Sequence, residues 1–137
     1  MSDGRGKTST EENKMGKKLM IVDDDPDILI TIRTIFEQQG YEVFTVDSGK
    51  DCLKELEKGF KGVILMDIMM PFMDGWDTIK QIIQKGFAPN VTISIITAKG
   101  TPQHEKMKGL ETYIHDYIPK PFDVRAVSYT HLTLPTN

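Results

Sequence analysis

Short, largely apolar runs alternate along this chain with stretches in which apolar residues recur every three or four positions. Leu19, Met20, Ile21 and Val22 form the first run, and residues 43–46, 63–66 and 91–96 form three more. Runs of this length, rich in β-branched residues, fit strands buried on both faces of a parallel sheet. Between them, Ile28, Leu29, Ile32, Ile35 and Phe36 repeat at helical spacing, as do Cys52, Leu53 and Leu56, and then Trp76, Ile79, Ile82 and Ile83. The punctuation agrees. Asp25 and Pro26 suit the start of the first helix and Gly40 its stop; Ser48 with Asp51 resembles a capping box for the second, which ends near Gly59. The third follows a loop through Pro71 and Gly75 and closes at Gly86. Thr101 and Pro102 open a fourth helix carrying Met107 and Leu110, and Tyr117 and Ile118 make a short fifth strand before Lys120 and Pro121. Strands and helices alternating at these lengths predict an α/β domain with helices on both faces of a parallel sheet. Right-handed crossovers make a doubly wound sheet the leading topology.

A chain of 137 residues has room for one core and tails. Residues 1–18 are Gly, Ser, Thr, Lys and Glu with almost no apolar side chain, so they are expected to form a disordered polar tail, with Met15 an alternative start codon. Residues 19–125 carry the alternating pattern. Residues 126–137 do not: they lack an amphipathic repeat, and Pro135 would break the fifth helix that Asp123 is placed to cap. Residues 127–136 resemble the translation of a transposon-based sequencing adaptor. This end is therefore set aside as foreign, with the native fifth helix expected to be missing or replaced. The natural gene is expected to continue past it, which leaves a following effector domain open. Seventeen basic against twenty acidic residues give a net charge of −3 and no global attraction to nucleic acid or anionic membranes. The single cysteine, Cys52, has no disulfide partner in the chain, and there is neither a signal-peptide pattern nor an apolar run of bilayer length. A reducing cytoplasm is the expected setting.

Reactive groups in an open parallel sheet collect at the carboxyl ends of its strands. Asp23 and Asp24 follow the first strand, Asp67 the third, Thr97 the fourth and Lys120 the fifth, so all five are expected to face one crevice. Three carboxylates there repel one another unless a proton or a cation intervenes. Ligation by carboxylates, a backbone carbonyl and water suits magnesium, which also binds phosphate. Acids are welcome at a helix N-terminus, and that alone accounts for Asp25 and Asp27. It does not account for Asp67, a lone acid after four apolar residues, or for Lys120 between two prolines. His104 and His115 lack metal-ligand spacing with Cys52 and are read as helix or turn surface positions; Trp76 is read as helix packing. No glycine-rich phosphate loop follows the first strand.

Five segments, Ile21-Val22-Asp23-Asp24-Asp25-Pro26, Ile64-Leu65-Met66-Asp67-Ile68-Met69-Met70-Pro71, Met73-Asp74-Gly75, Ile95-Ile96-Thr97-Ala98 and Tyr117-Ile118-Pro119-Lys120-Pro121-Phe122, together resemble the response-regulator receiver domain of two-component signalling, in the CheY-like superfamily. Each is weak alone, whereas five in order across residues 19–125 are very specific. The resemblance implies a flavodoxin-like, five-stranded parallel sheet of order 2-1-3-4-5. It implies that Asp67 is the phosphoacceptor, forming an acyl phosphate with a phosphoryl group from a phosphohistidine of a sensor histidine kinase or phosphotransfer protein. Asp23, Asp24, Asp67 and the backbone carbonyl of Met69 would then hold Mg2+ or Mn2+. Lys120 would neutralise one phosphoryl oxygen and Thr97 hydrogen-bond another, which is what phosphoryl transfer requires. The resemblance also implies a cis peptide bond at Lys120-Pro121. Thr97 and Tyr117 would form the switch, Thr97 moving toward the phosphoryl group and Tyr117 rotating into the vacated space to alter the face of the fourth helix, fifth strand and fifth helix. Met69 and Lys99 would line the route of hydrolytic water. Such a chain catalyses only its own phosphorylation and dephosphorylation; its downstream effector is unassigned and phosphorylation-dependent dimerisation is left open.

Two departures stand out. Phe72 occupies the place where the family usually has glycine, which suggests a changed loop or an apolar partner contact, and Tyr113-Ile114-His115 replaces the usual small-residue turn before the fifth strand, which suggests an altered output face. Two other readings compete. A receiver-like interaction module would not need Asp23, Asp24, Asp67, Thr97 and Lys120 intact. A haloacid-dehalogenase-type phosphatase would need an aspartate two residues after Asp67, where Met69 stands.

Overall fold

The computed structural model of the chain describes residues 17–97 and 107–119. Strands β1 (Lys18–Val22), β2 (Glu42–Val46), β3 (Gly62–Asp67), β4 (Val91–Thr97) and β5 (Ile114–Pro119) form one sheet in the order β2-β1-β3-β4-β5, and every neighbouring pair is parallel. Helices α1 (Pro26–Gln38), α2 (Gly49–Glu57) and α3 (Gly75–Gln84) connect the first four strands. This is the doubly wound, flavodoxin-like sheet that the alternation and the resemblance led us to expect.

Successive strand residues point to opposite faces, and the two cores follow from that. Leu19 and Ile21 of β1 join Ile32 and Phe36 of α1, with Leu65, Ile96 and Ile118 alongside. Met20 and Val22 join Leu53 and Leu56 of α2, Trp76, Ile79 and Ile82 of α3, and Ile64, Met66, Ile93 and Ile95. An unbroken apolar run is thus the mark of a strand covered on both sides. Trp76 is buried helix packing, as its spacing suggested.

The helix starts are held by side chains. Asp25 accepts from the Asp27 N–H at 2.9 Å, Ser48 Oγ from the Asp51 N–H at 3.1 Å, and Asp74 from the Asp77 N–H at 2.9 Å. Each bond satisfies a first-turn donor that the helix itself leaves open. Where α2 meets α3, a Cβ on Gly49 would run into Oγ1 of buried Thr78, whose hydroxyl donates to the Asp74 carbonyl at 2.9 Å.

Three local features differ from expectation. β5 starts at Ile114, so Ile114 and His115 lie in the strand, and the turn before it is the 3-10 segment Glu111–Tyr113. The cause is a bulge: the register runs from Ile93↔Ile114 to Ser94↔Asp116, which leaves His115 as the extra residue while Ile114 packs on the core. Leu110 falls not on a helix but in the turn after Met107, where it is buried. β1 begins at Lys18, one residue inside the expected tail. Residues 1–16, 98–106 and 120–137 lie outside the described residues; they include Lys99, Thr101 and Pro102 of the expected fourth helix, Lys120 with its peptide bond to Pro121, and the expected fifth helix and foreign end.

Cys52 provides a pH handle on this core. Burial, and secondarily the charge of Glu55, push its thiol from an ordinary 9.0 up to about 12. The fold therefore keeps the proton that the unfolded chain releases. The stabilisation from this group is complete below pH 9 and is lost as pH rises toward 12. Urea midpoints measured from pH 9 upward are expected to fall less steeply in Cys52→Ala than in the parent; equal slopes would remove Cys52 as a cause.

Candidate functional site

Strand register brings the acids together. Val22 of β1 lies opposite Met66 of β3, so Asp23 leaves β1 level with Asp67, the last residue of β3. Adjacent strands run about 4.8 Å apart, and two carboxylates leaving them level become neighbours. Backbone bonds hold both points: the Asp23 N–H donates to the Val46 carbonyl at 3.2 Å, and the Ile68 N–H to the Ile96 carbonyl at 3.3 Å. Asp24 turns outward from the next position and is exposed. One carboxylate oxygen from each of Asp23, Asp24 and Asp67 lies within 4.8 Å of the other two. Asp23 is fully buried and Asp67 is 2% exposed.

Each buried acid is aimed by the backbone two residues on. Asp23 Oδ1 accepts from the Asp25 N–H at 2.9 Å, and Asp67 Oδ1 from the Met69 N–H at 3.0 Å. The second bond turns the chain after β3 and keeps the Met69 backbone beside the Asp67 carboxylate. The loop then returns to its origin. The Gly75 N–H donates to the Ile68 carbonyl at 3.3 Å, and a Cβ on Gly75 would lie 2.7 Å from both the Asp67 carbonyl oxygen and the Ile68 Cα. A helix-breaking residue opening a helix is the sequence signal for such close approach, one our reading of the motif passed over.

The donor set fits a hard divalent cation. At 4.8 Å a pair of like unit charges repels by about 3 kcal/mol at an effective dielectric near 20, so three carboxylates gathered here favour a positive counter-charge. All three offer oxygen, and the cluster contains no imidazole or thiolate, which suits magnesium or manganese better than zinc or copper.

The remaining expected residues are placed unequally. Thr97 ends β4, one residue beyond Ile96, the partner of Asp67, and its own partner is Pro119; of Thr97 only the backbone is described. Tyr117 lies 39% exposed on β5, and its hydroxyl donates to Met107 Sδ at 3.1 Å. Partial burial, then the charge of Glu111, raise the pKa of that hydroxyl. Met69 is 53% exposed at the rim. Phe72 has φ 67, in the left-handed region that glycine enters freely, which gives a physical reason for glycine being usual at this position.

Comparison with known proteins agrees with the geometry. The family profile of the response regulator receiver domain matches residues 19–129. The chain is 35% identical over 114 residues to the alkaline phosphatase synthesis transcriptional regulatory protein PhoP of Bacillus subtilis, covering 83% of this chain and 46% of that protein. It is 38% identical over 119 residues to the response regulator SaeR of Staphylococcus epidermidis, covering 87% and 48%. The chain thus spans about half the length of the curated relatives it matches. A crystal structure of a CheY-like response regulator receiver domain protein from Methanospirillum hungatei superposes with a TM-score of 0.77 at 46% identity, covering 82% of this chain and 88% of that one. Among the described residues no helix is long and apolar enough to cross a membrane.

Proposed function

Because this chain belongs to the response-regulator receiver family of two-component signalling, whose members partner with histidine kinases, we propose that it is a phosphoacceptor switch centred on Asp67. The observation that carries the reading is the convergence of Asp23, Asp24 and Asp67 at the carboxyl edge of the sheet. An oxygen of the Asp67 carboxylate attacks the phosphorus of a phosphohistidine. The O–P bond forms as the P–N bond breaks, and the imidazole keeps the electron pair. The Met69 N–H fixes the rotation of the attacking carboxylate, and the Ile68–Ile96 backbone bond fixes the chain directly after Asp67. Asp23, Asp24, Asp67 and the Met69 carbonyl would hold Mg2+ or Mn2+, which when bound neutralises the clustered carboxylates and the phosphoryl oxygens. Lys120 and Thr97 are proposed for two phosphoryl oxygens, and Thr97 with Tyr117 for the switch. Tyr117 starts from an outward, half-exposed position on β5. The chain would work in the cytoplasm on itself, without turnover of a separate substrate.

Beryllofluoride, a phosphoryl mimic, separates this reading from its rivals. Its affinity should rise with Mg2+ in the parent and lose that dependence in Asp67→Asn. Absence of any Mg2+-dependent binding would favour an unphosphorylated interaction module, and steady hydrolysis of a phosphomonoester would favour a phosphatase. Met69, with Lys99, is proposed to set the phosphoryl lifetime. An apolar, exposed side chain there offers no hydrogen bond to an incoming water. Met69→Asn should therefore lose its acyl phosphate several-fold faster than the parent in a single-turnover decay, and an unchanged or slower decay would refute the assignment.

A further inference from the structure

Phe72 carries two unfavourable features at one position. A left-handed φ is strained for any residue with a Cβ, and its ring is fully exposed and belongs to neither core among the described residues. Its place in the loop suggests what could make both worthwhile. Residues 68–74 leave Asp67 and return to it, since Gly75 bonds back to Ile68 and abuts the Asp67 carbonyl, so Phe72 lies on a loop with both ends at the acceptor. Met70 points inward and is buried, which anchors the loop and leaves Met69, Pro71 and Phe72 facing solvent as an uncharged rim. The segment after β1 presents instead the exposed acids Asp24, Asp25 and Asp27.

We propose that Phe72, with the exposed Met69 of the same loop, is the docking contact for the protein that delivers the phosphoryl group, meeting an apolar patch next to that protein's phosphohistidine. This rests on Asp67 being the acceptor. Asp67 is only 2% exposed, so an imidazole carried on a protein reaches it only if the surrounding donor surface closes on the rim. A small phosphodonor enters without touching Phe72. The residue therefore distinguishes donors by size, and strain at the loop holds the ring out where a partner covers it.

The test uses the full chain, with acetyl phosphate as the small donor and a histidine-phosphorylated phosphotransfer domain as the protein donor. Phe72→Gly should raise the urea midpoint, keep labelling by acetyl phosphate within about twofold, and slow transfer from the protein donor by about tenfold or more. Phe72→Leu, which keeps apolar bulk, should retain most of the protein-donor rate. Equal slowing with both donors, or no slowing with either, overturns the proposal. A parent labelled by acetyl phosphate but never by the protein donor overturns it too, leaving the acceptor chemistry intact. A parent labelled by neither removes the acceptor reading itself.

Discussion

Asp67→Asn is expected to slow phosphoryl acceptance from acetyl phosphate by on the order of 10³-fold or more while leaving the fold intact. Asparagine keeps the size of the side chain and an oxygen for the Met69 N–H that now bonds Asp67 Oδ1 at 3.0 Å. It removes the anionic nucleophile, and a neutral amide does not replace it. It also removes one of three negative charges gathered within 4.8 Å, two of them on buried residues. Without Mg2+ the variant should therefore unfold at a urea concentration no lower than the parent does. With Mg2+ the parent should gain stability in proportion to its occupancy, and the variant should gain much less. Kinetic labelling and urea titrations with and without Mg2+ check all three points. A variant that still labels at the parental rate, or loses stability without Mg2+, would break the link between the carboxylate cluster and the chemistry.

Gly75→Ala is the second large effect, and two forces oppose each other there. Alanine favours a helix over glycine by about 1 kcal/mol, so propensity alone predicts a gain. The added Cβ would, however, sit 2.7 Å from the Asp67 carbonyl oxygen and the Ile68 Cα and 2.9 Å from the Ile68 Cγ2. Two of these are backbone atoms, which have no rotamer to escape into. Overpacking of this kind costs about 1–3 kcal/mol, and the clash outweighs the propensity. The relief available is a shift of the strand end that carries Asp67. Phosphorylation should slow along with the loss of stability, by up to about 10²-fold for a displacement near 1 Å. Equilibrium unfolding and the acetyl phosphate labelling rate of one preparation test both halves. A variant as stable and as fast as the parent would mean that the loop does not depend on this contact.

The contrast between these two residues marks what the chain reveals before it folds. Asp67 was legible because a lone acid after Ile64, Leu65 and Met66 must emerge from the end of a buried strand, and parallel sheets gather such ends. The starts of α1 and α2 were legible for a local reason too: Asp25 and Ser48 bond to N–H groups two and three residues away. Gly75 presses on residues at the far end of a seven-residue excursion, and no periodicity records that contact. The early start of β5 depends on a bulge against β4, a property of two strands at once. The roles given to Thr97, Lys120 and Tyr117 came from likeness to the receiver family rather than from spacing. Phe72 was visible as a departure, but its left-handed backbone became visible only in three dimensions.

The central claim is a covalent one, that the phosphoryl group resides on the carboxylate of Asp67. Borohydride reduces an acyl phosphate to the alcohol, which would convert a phosphorylated Asp67 to homoserine. The full chain treated with acetyl phosphate and Mg2+, reduced and mapped by peptide mass spectrometry, should carry homoserine at position 67 and nowhere else, with none formed when Mg2+ is chelated. Homoserine at another aspartate, or none anywhere in a folded, Mg2+-saturated sample, would contradict it.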